Sequence, residues 1–206
     1  MTNNNNTVWL VLGGIIIGLL LAPWLIPMMG FGSMMGRRTN TALSPRTTSA
    51  NLIDQHFIEQ MIPHHDGAIA MANLALTKAT HPEIETLAKD ILLAQTKENS
   101  EMRLWYRAWF GVDVSVDSSA MMGGMMSQGG MHMGGLEDVT TLDSATDFDK
   151  EFIEQMIPHH QMAIMMARML ESGTDRPEML ELAKNIIESQ SQEIQKMQGW
   201  YQEWYQ

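Results

Sequence analysis

The sequence predicts an all-α fold, a four-helix bundle made of two repeated helix hairpins, preceded by an N-terminal transmembrane helix. Three observations carry this expectation. The stretch FIEQMIPHH occurs twice, at Phe57–His65 and Phe152–His160, and a shift of 95 residues aligns Asp54–Phe110 with Asp149–Tyr205 without a gap, nearly half of the paired positions being identical. Within each copy apolar residues recur at helical spacing, whereas the one alternating stretch, Val112–Val116, is short and isolated and reads as loop. Neither hairpin can bury its apolar face alone, so the two are expected to pack about a pseudo-twofold axis.

In chain order, residues 1–29 hold a polar start and then Val8–Met29, about 22 residues without a charge, long enough to span a bilayer. MTNNNNT lacks the basic residues of a secretory signal and no small-x-small cleavage site follows, so an uncleaved anchor is expected. Arg37, Arg38 and Arg46 lie after the span, which taken alone orients the remainder toward the cytoplasm; the soft-ligand composition argues for the opposite, periplasmic side. Residues 30–50 read as a flexible linker containing Met34 and Met35. The first hairpin is expected over 51–111, its first helix running from near Ser49–Asn51 to Lys78 with Pro63 inside it, which should kink the helix beside His64 and His65. Thr80 with Glu83, and Asp175 with Glu178, read as capping boxes opening the second helix of each hairpin. Gly111 and Gly173 read as helix stops. Residues 112–143 form a Met/Gly-rich linker, and the second hairpin occupies 144–206, its first helix expected from about Ser144 to Ser172.

A formal net charge of -11, from 24 acidic against 13 basic residues, keeps such a chain soluble and argues against nucleic acid as a partner. Cations fit better. Twenty-one methionines and no cysteine point to an extracytoplasmic soft-metal protein, because thioethers bind soft ions without deprotonation and form no disulfides.

The chemistry centres on the repeated motif. Met61, His64, His65, Ala68 and Met71 fall along one stripe of a helix; the second copy offers Met156, His159, His160, Met162, Met166 and Met169. Imidazole suits copper and zinc, while thioether selects copper(I) or silver(I) against zinc, so the mixture points to copper, with copper(II) as a further state. Single histidines and methionines on such a face are ordinary core residues; matched histidine pairs beside prolines are not. On the second helices, Gln95, Glu98, Met102, Trp105 and Trp109 repeat as Gln190, Glu193, Met197, Trp200 and Trp204. Met102 and Met197 join the candidate ligands, Gln95 and Glu98 come level with His65 and Met61 as groups that orient an imidazole, and the tryptophans read as bundle-end closure. Glu59 and Glu154 read as a solvated face. Met121, Met122, Met125, Met126, Met131, His132 and Met133 lack any period that would bury them, so reversible capture of a soft ion is their expected role.

FIEQMIPHHDGAIAMA and FIEQMIPHHQMAIMMA resemble the histidine-pair signature of the family called domain of unknown function 305, a ferritin-like helical family. The resemblance covers Asp54–Phe110 and Asp149–Tyr205. Two such units with Met-rich tracts imply copper(I) or silver(I) binding and a part in copper tolerance, with His64, His65, Met71, His159, His160 and Met166 among the metal residues. The first copy departs from the richer pattern at Gly67 and Ala70, where the second has Met162 and Met165. A non-enzymatic carrier on the periplasmic side of a membrane is therefore expected, its partners copper ions and a copper efflux or delivery protein. Two other classes compete. A metal-dependent oxidase on a ferritin-like bundle wants Glu-x-x-His, which is absent: Ile62 and Ile157 stand three residues after Glu59 and Glu154. A membrane-anchored interaction module with a Met-rich surface leaves the histidine pairs unexplained.

Overall fold

The computed structural model describes residues 45–115 and 136–206. The expected membrane segment (1–29), most of the first linker, and Met121, Met122, Met125, Met126 and His132 lie outside the described residues. Among those described there are five helices and no strand: α1 Pro45–Lys78, α2 Pro82–Phe110, α3 Leu136–Asp143, α4 Phe148–Gly173 and α5 Pro177–Tyr205. None of them is long and apolar enough to cross a membrane.

The fold is all-helical, as the repeat and its periodicity require. α1 pairs with α2 and α4 with α5 as hairpins, and the hairpins dock through α1 against α4. Two apolar clusters result, each drawing on all four long helices. One gathers Phe57, Ile58, Met61 and Ile62 with Met102, Met162, Met166, Leu170, Met179 and Ile186. The other gathers Met71, Ala72 and Ala75 with Ile84, Ile91, Phe152, Met156, Ile194 and Met197. The repeated histidines lie between these clusters in the sequence of both α1 and α4.

Several boundaries differ from expectation for physical reasons. α1 starts at Pro45, inside the expected linker, because proline at the first helical position loses no hydrogen bond and has its φ preset. α3 lies wholly within the expected 112–143 linker; Leu142 is fully buried in the second cluster, so packing selects a helix that local glycine content obscured. α4 begins at Phe148 instead of Ser144, since the Asp147 side chain accepts the Lys150 N–H at 3.1 Å and caps the helix there. Neither capping box forms. The N-cap residues are His81 and Arg176, without side-chain caps. Gly111 does end α2, with a φ of 74° that glycine adopts at little cost. Gly173 is the last residue of α4, with Thr174 as the extended C-cap, and its lack of a side chain admits Ile53, whose Cδ1 would lie 2.4 Å from a Cβ there. α1 and α4 continue through Pro63 and Pro158, which leaves the Glu59 and Glu154 carbonyls without their usual helical donors.

Thr80 is diverted from capping by a contact between the repeats. Asp149 of α4 is buried and accepts the Thr80 N–H at 3.0 Å, the Thr80 hydroxyl at 2.5 Å, the His81 N–H at 2.8 Å and the His81 Nδ1–H at 2.6 Å. Its counterpart Asp54 of α1, also buried, accepts from Arg176 Nε at 3.0 Å, and Arg176 also donates to Asn51. Each repeat's aspartate thus holds the interhelical turn of the other repeat. The ring partners follow the same exchange: His81 stacks on Trp204 at 3.8 Å, and the Arg176 guanidinium lies 3.9 Å from the Trp109 ring centre. Burial raises both carboxyls; at Asp149 the combined Thr80 and His81 hydrogen bonds outweigh it and leave the group below its usual value, whereas Asp54 stays above its own despite Thr174 and Arg176.

Candidate metal centre

The two copies of Pro-His-His come together where α1 meets α4. Successive residues of a helix point about 100° apart, so a His-His pair faces two neighbours at once. His64 and His159 face each other across the repeats, ring centres 3.7 Å apart and tilted by 40°. His65 and His160 turn toward the second helix of their own hairpins, where Glu98 accepts from His65 Nε2 at 2.7 Å and Glu193 from His160 Nε2 at 2.5 Å. The ring separations within each pair, 6.4 Å and 6.3 Å, reproduce the pseudo-symmetry.

All four imidazoles are at most 2% exposed. A carboxylate only accepts, so Glu98 and Glu193 assign the hydrogen to Nε2 and leave a lone pair on Nδ1 of His65 and His160. Those two Nδ1 atoms have no hydrogen-bond partner, nor does either nitrogen of His64 or His159. Six ring nitrogens are therefore buried without partners, joined by the side-chain oxygens of Gln95 and Gln190. Each such atom costs on the order of 1–3 kcal/mol unless a water or a bound group satisfies it. Burial, followed by the neighbouring imidazoles His159, His65 and His160, holds His64 well below the usual histidine value; burial, then His160 and His65, lowers His159 to about 3. Both rings are neutral near pH 7, with lone pairs free for a cation.

Among the described residues no three His, Asp or Glu side chains converge as a metal-holding group. An ion seated here has to find its other donors among thioethers, of which Met71 lines one cavity together with His159. Met61 and Met102 share one apolar cluster with Met162 and Met166; Met71, Met156 and Met197 share the other. The methionines therefore sort by end of the bundle and mix the copies, an arrangement that counting donors along one helix does not reveal. Met169 is 65% exposed and Met165 44%, both outside these clusters. Glu59 and Glu154 do more than face solvent, for each accepts a tyrosine hydroxyl at 2.5 Å, from Tyr106 and Tyr201 respectively.

The contact between His64 and His159 and the buried aspartates were not read from the sequence. The signal available for the aspartates was their repetition at the same position of both copies, at the edge of the aligned unit.

The model of a family described as Domain of unknown function (DUF305) matches residues 54–201. CopM in its Cu(I)-bound form is 47% identical, with a TM-score of 0.64 over 74% of this chain and 98% of that one; CopM in Cu(II)-bound and silver-bound forms matches comparably. A DUF305 fragment from Deinococcus radiodurans is 27% identical, with a TM-score of 0.56 over 76% of this chain and 95% of the fragment. The uncharacterized protein L153 of Acanthamoeba polyphaga mimivirus is 45% identical over 49 residues, 24% of this chain and 32% of that protein's length.

Proposed function

Because this chain belongs to the DUF305 family, and because His64 and His159 are buried, neutral and without hydrogen-bond partners, we propose that it binds copper(I) or silver(I), sequestering or carrying the ion and contributing to copper tolerance. The observation that carries the reading is the apposed His64 and His159, whose four ring nitrogens have no other partner. Neutral imidazole together with thioether suits a soft monovalent ion and disfavours zinc; copper(II) is admitted by the imidazoles alone. The similarity to CopM, described in Cu(I), Cu(II) and silver forms, supports the same ions.

In this reading His64, His65, His159 and His160 supply nitrogen, and Met61, Met71, Met102, Met156, Met162, Met166 and Met197 are the pool of buried sulfur donors. Glu98 and Glu193 hold the tautomer of the rings they touch. The protein is a carrier and not an enzyme, working on the periplasmic side of a membrane through its apolar N-terminal segment, with a copper efflux or delivery protein as the recipient. The absence of cysteine beside 21 methionines supports that location.

Anaerobic titration with copper(I) against a competing chelator tests the proposal. The double variant His64→Ala/His159→Ala should lose at least about tenfold in affinity while its circular dichroism stays helical. Unchanged affinity in that variant, or zinc binding as tight as copper(I), would sink the reading.

A further inference from the structure

His159 is reached from the surface through a cavity of about 260 Å³, and its lining is graded. At the rim stand Thr141, Glu154 and Pro158, all exposed. Glu151 and Gln155 are half-buried below them, the Gln155 amide donating to Glu151 at 2.7 Å. At the floor are Met71, 1% exposed, and His159, 2% exposed. Three donor types line this path in order of depth: carboxylate, amide oxygen, then thioether and imidazole. The Gln155 oxygen is itself buried without a hydrogen-bond partner, as are both nitrogens of His159.

We propose that this cavity is the route by which the cation reaches the histidine pair, with Glu151 and Glu154 drawing it in and the Gln155 oxygen as its first station before Met71 and His159. The proposal rests on the metal-binding reading above and adds a direction to it. The volume is many times the roughly 10–15 Å³ that one water requires, so an ion enters with part of its hydration shell and exchanges it stepwise. Carboxylates at a mouth with low-dielectric walls raise the local cation concentration and speed association, an effect that salt screens.

The pseudo-symmetric face is built differently. Where the second repeat has Glu151 and Gln155, the first has His56 and Gln60, which hydrogen-bond each other, leaving Glu59 as the single acid of the set. A further acidic cavity of about 160 Å³ is lined by Glu98, Glu101, Glu178 and Glu181 beside Lys97 and Asn185, and no imidazole or thioether lines it, so an ion there meets no soft donor. The route through Glu151, Glu154 and Gln155 joins an acidic rim to soft donors.

The test is kinetic, with silver(I) as a redox-inert probe. Uptake by the full chain is followed by stopped-flow displacement from a chromophoric silver chelator, at low and high salt, beside the equilibrium affinity. Glu151→Gln/Glu154→Gln should slow uptake about tenfold at low salt, flatten the salt dependence and leave affinity within about twofold. The control Glu59→Gln/Glu83→Gln removes the same net charge elsewhere and should take up silver as the native chain does. Equal rates in the two double variants, whether both slow or both normal, would overturn the route. If that happens while His64→Ala/His159→Ala still loses affinity, only the route is wrong; native chain that does not bind silver(I) at all overturns the metal reading beneath it.

Discussion

Glu98 and Glu193 illustrate how much one side chain decides at the centre. Each accepts the Nε2–H of a fully buried imidazole and so presents Nδ1 as a lone pair. Replacing Glu98 by Ala strands that N–H, at a cost of about 1–3 kcal/mol in stability, and frees the ring to turn, which should weaken copper(I) binding about tenfold or more. Glu98→Gln keeps an acceptor oxygen and should recover much of both; chelator competition and urea denaturation on the two variants check this. His64 and His159 make the metal-free protein pH-sensitive. Their folded values lie below the unfolded value near 6.5, that of His159 at about 3, so below 6.5 the unfolded chain binds more protons. Their contribution to stability is full above about 6.5 and is lost progressively as pH falls below it, for His159 down to about 3. Urea denaturation of metal-free protein at pH 7.5 and pH 5 should show this loss, and His64→Leu/His159→Leu should flatten it.

At the scale of elements, α1 and α4 act together, each providing sulfur to both ends of the bundle. Four candidate thioethers, Met61, Met102, Met162 and Met166, lie in one cluster and three, Met71, Met156 and Met197, in the other. The relevant comparison is therefore between ends and not between copies. Met→Leu conserves volume and costs less than about 1.5 kcal/mol per site, whereas Met→Ala would open cavities costing about 2–5 kcal/mol and confuse binding with folding. We expect Leu at Met61, Met102, Met162 and Met166 to weaken copper(I) binding more than Leu at Met71, Met156 and Met197, with helicity preserved in both. Equal losses would mean that the sulfur count does not set affinity.

Across the whole molecule, the reciprocal aspartates tie the two hairpins into one unit. Asp149 satisfies two backbone N–H groups, a hydroxyl and an imidazole of the opposite repeat, while Asp54 engages Arg176 and Thr174. Asp149→Ala orphans more donors and should cost about 3 kcal/mol or more, clearly exceeding Asp54→Ala; equilibrium urea unfolding measures both. Since these contacts join residues of different repeats, their loss should also loosen the apposition of His64 and His159 and lower copper(I) affinity without touching a ligand.

The helical class, the hairpins, the histidine pairs and the placing of Gln95 and Glu98 beside the histidine turn were legible in the chain, although the spacing set Gln95 against His65 and Glu98 against Met61 where the structure pairs Glu98 with His65; each depends on spacing within about one hundred residues of a duplicated pattern and on helical periodicity. Those are properties of local geometry, and a repeat states them twice. What pairs with what across the repeats was not legible. The meeting of His64 with His159, the sorting of methionines by end, the diversion of Thr80 from its cap to Asp149, and the helix at Leu136–Asp143 all arise from docking one hairpin against the other. Docking is set by the shape and burial of two assembled surfaces, and a one-dimensional spacing rule holds only within the helix that it describes.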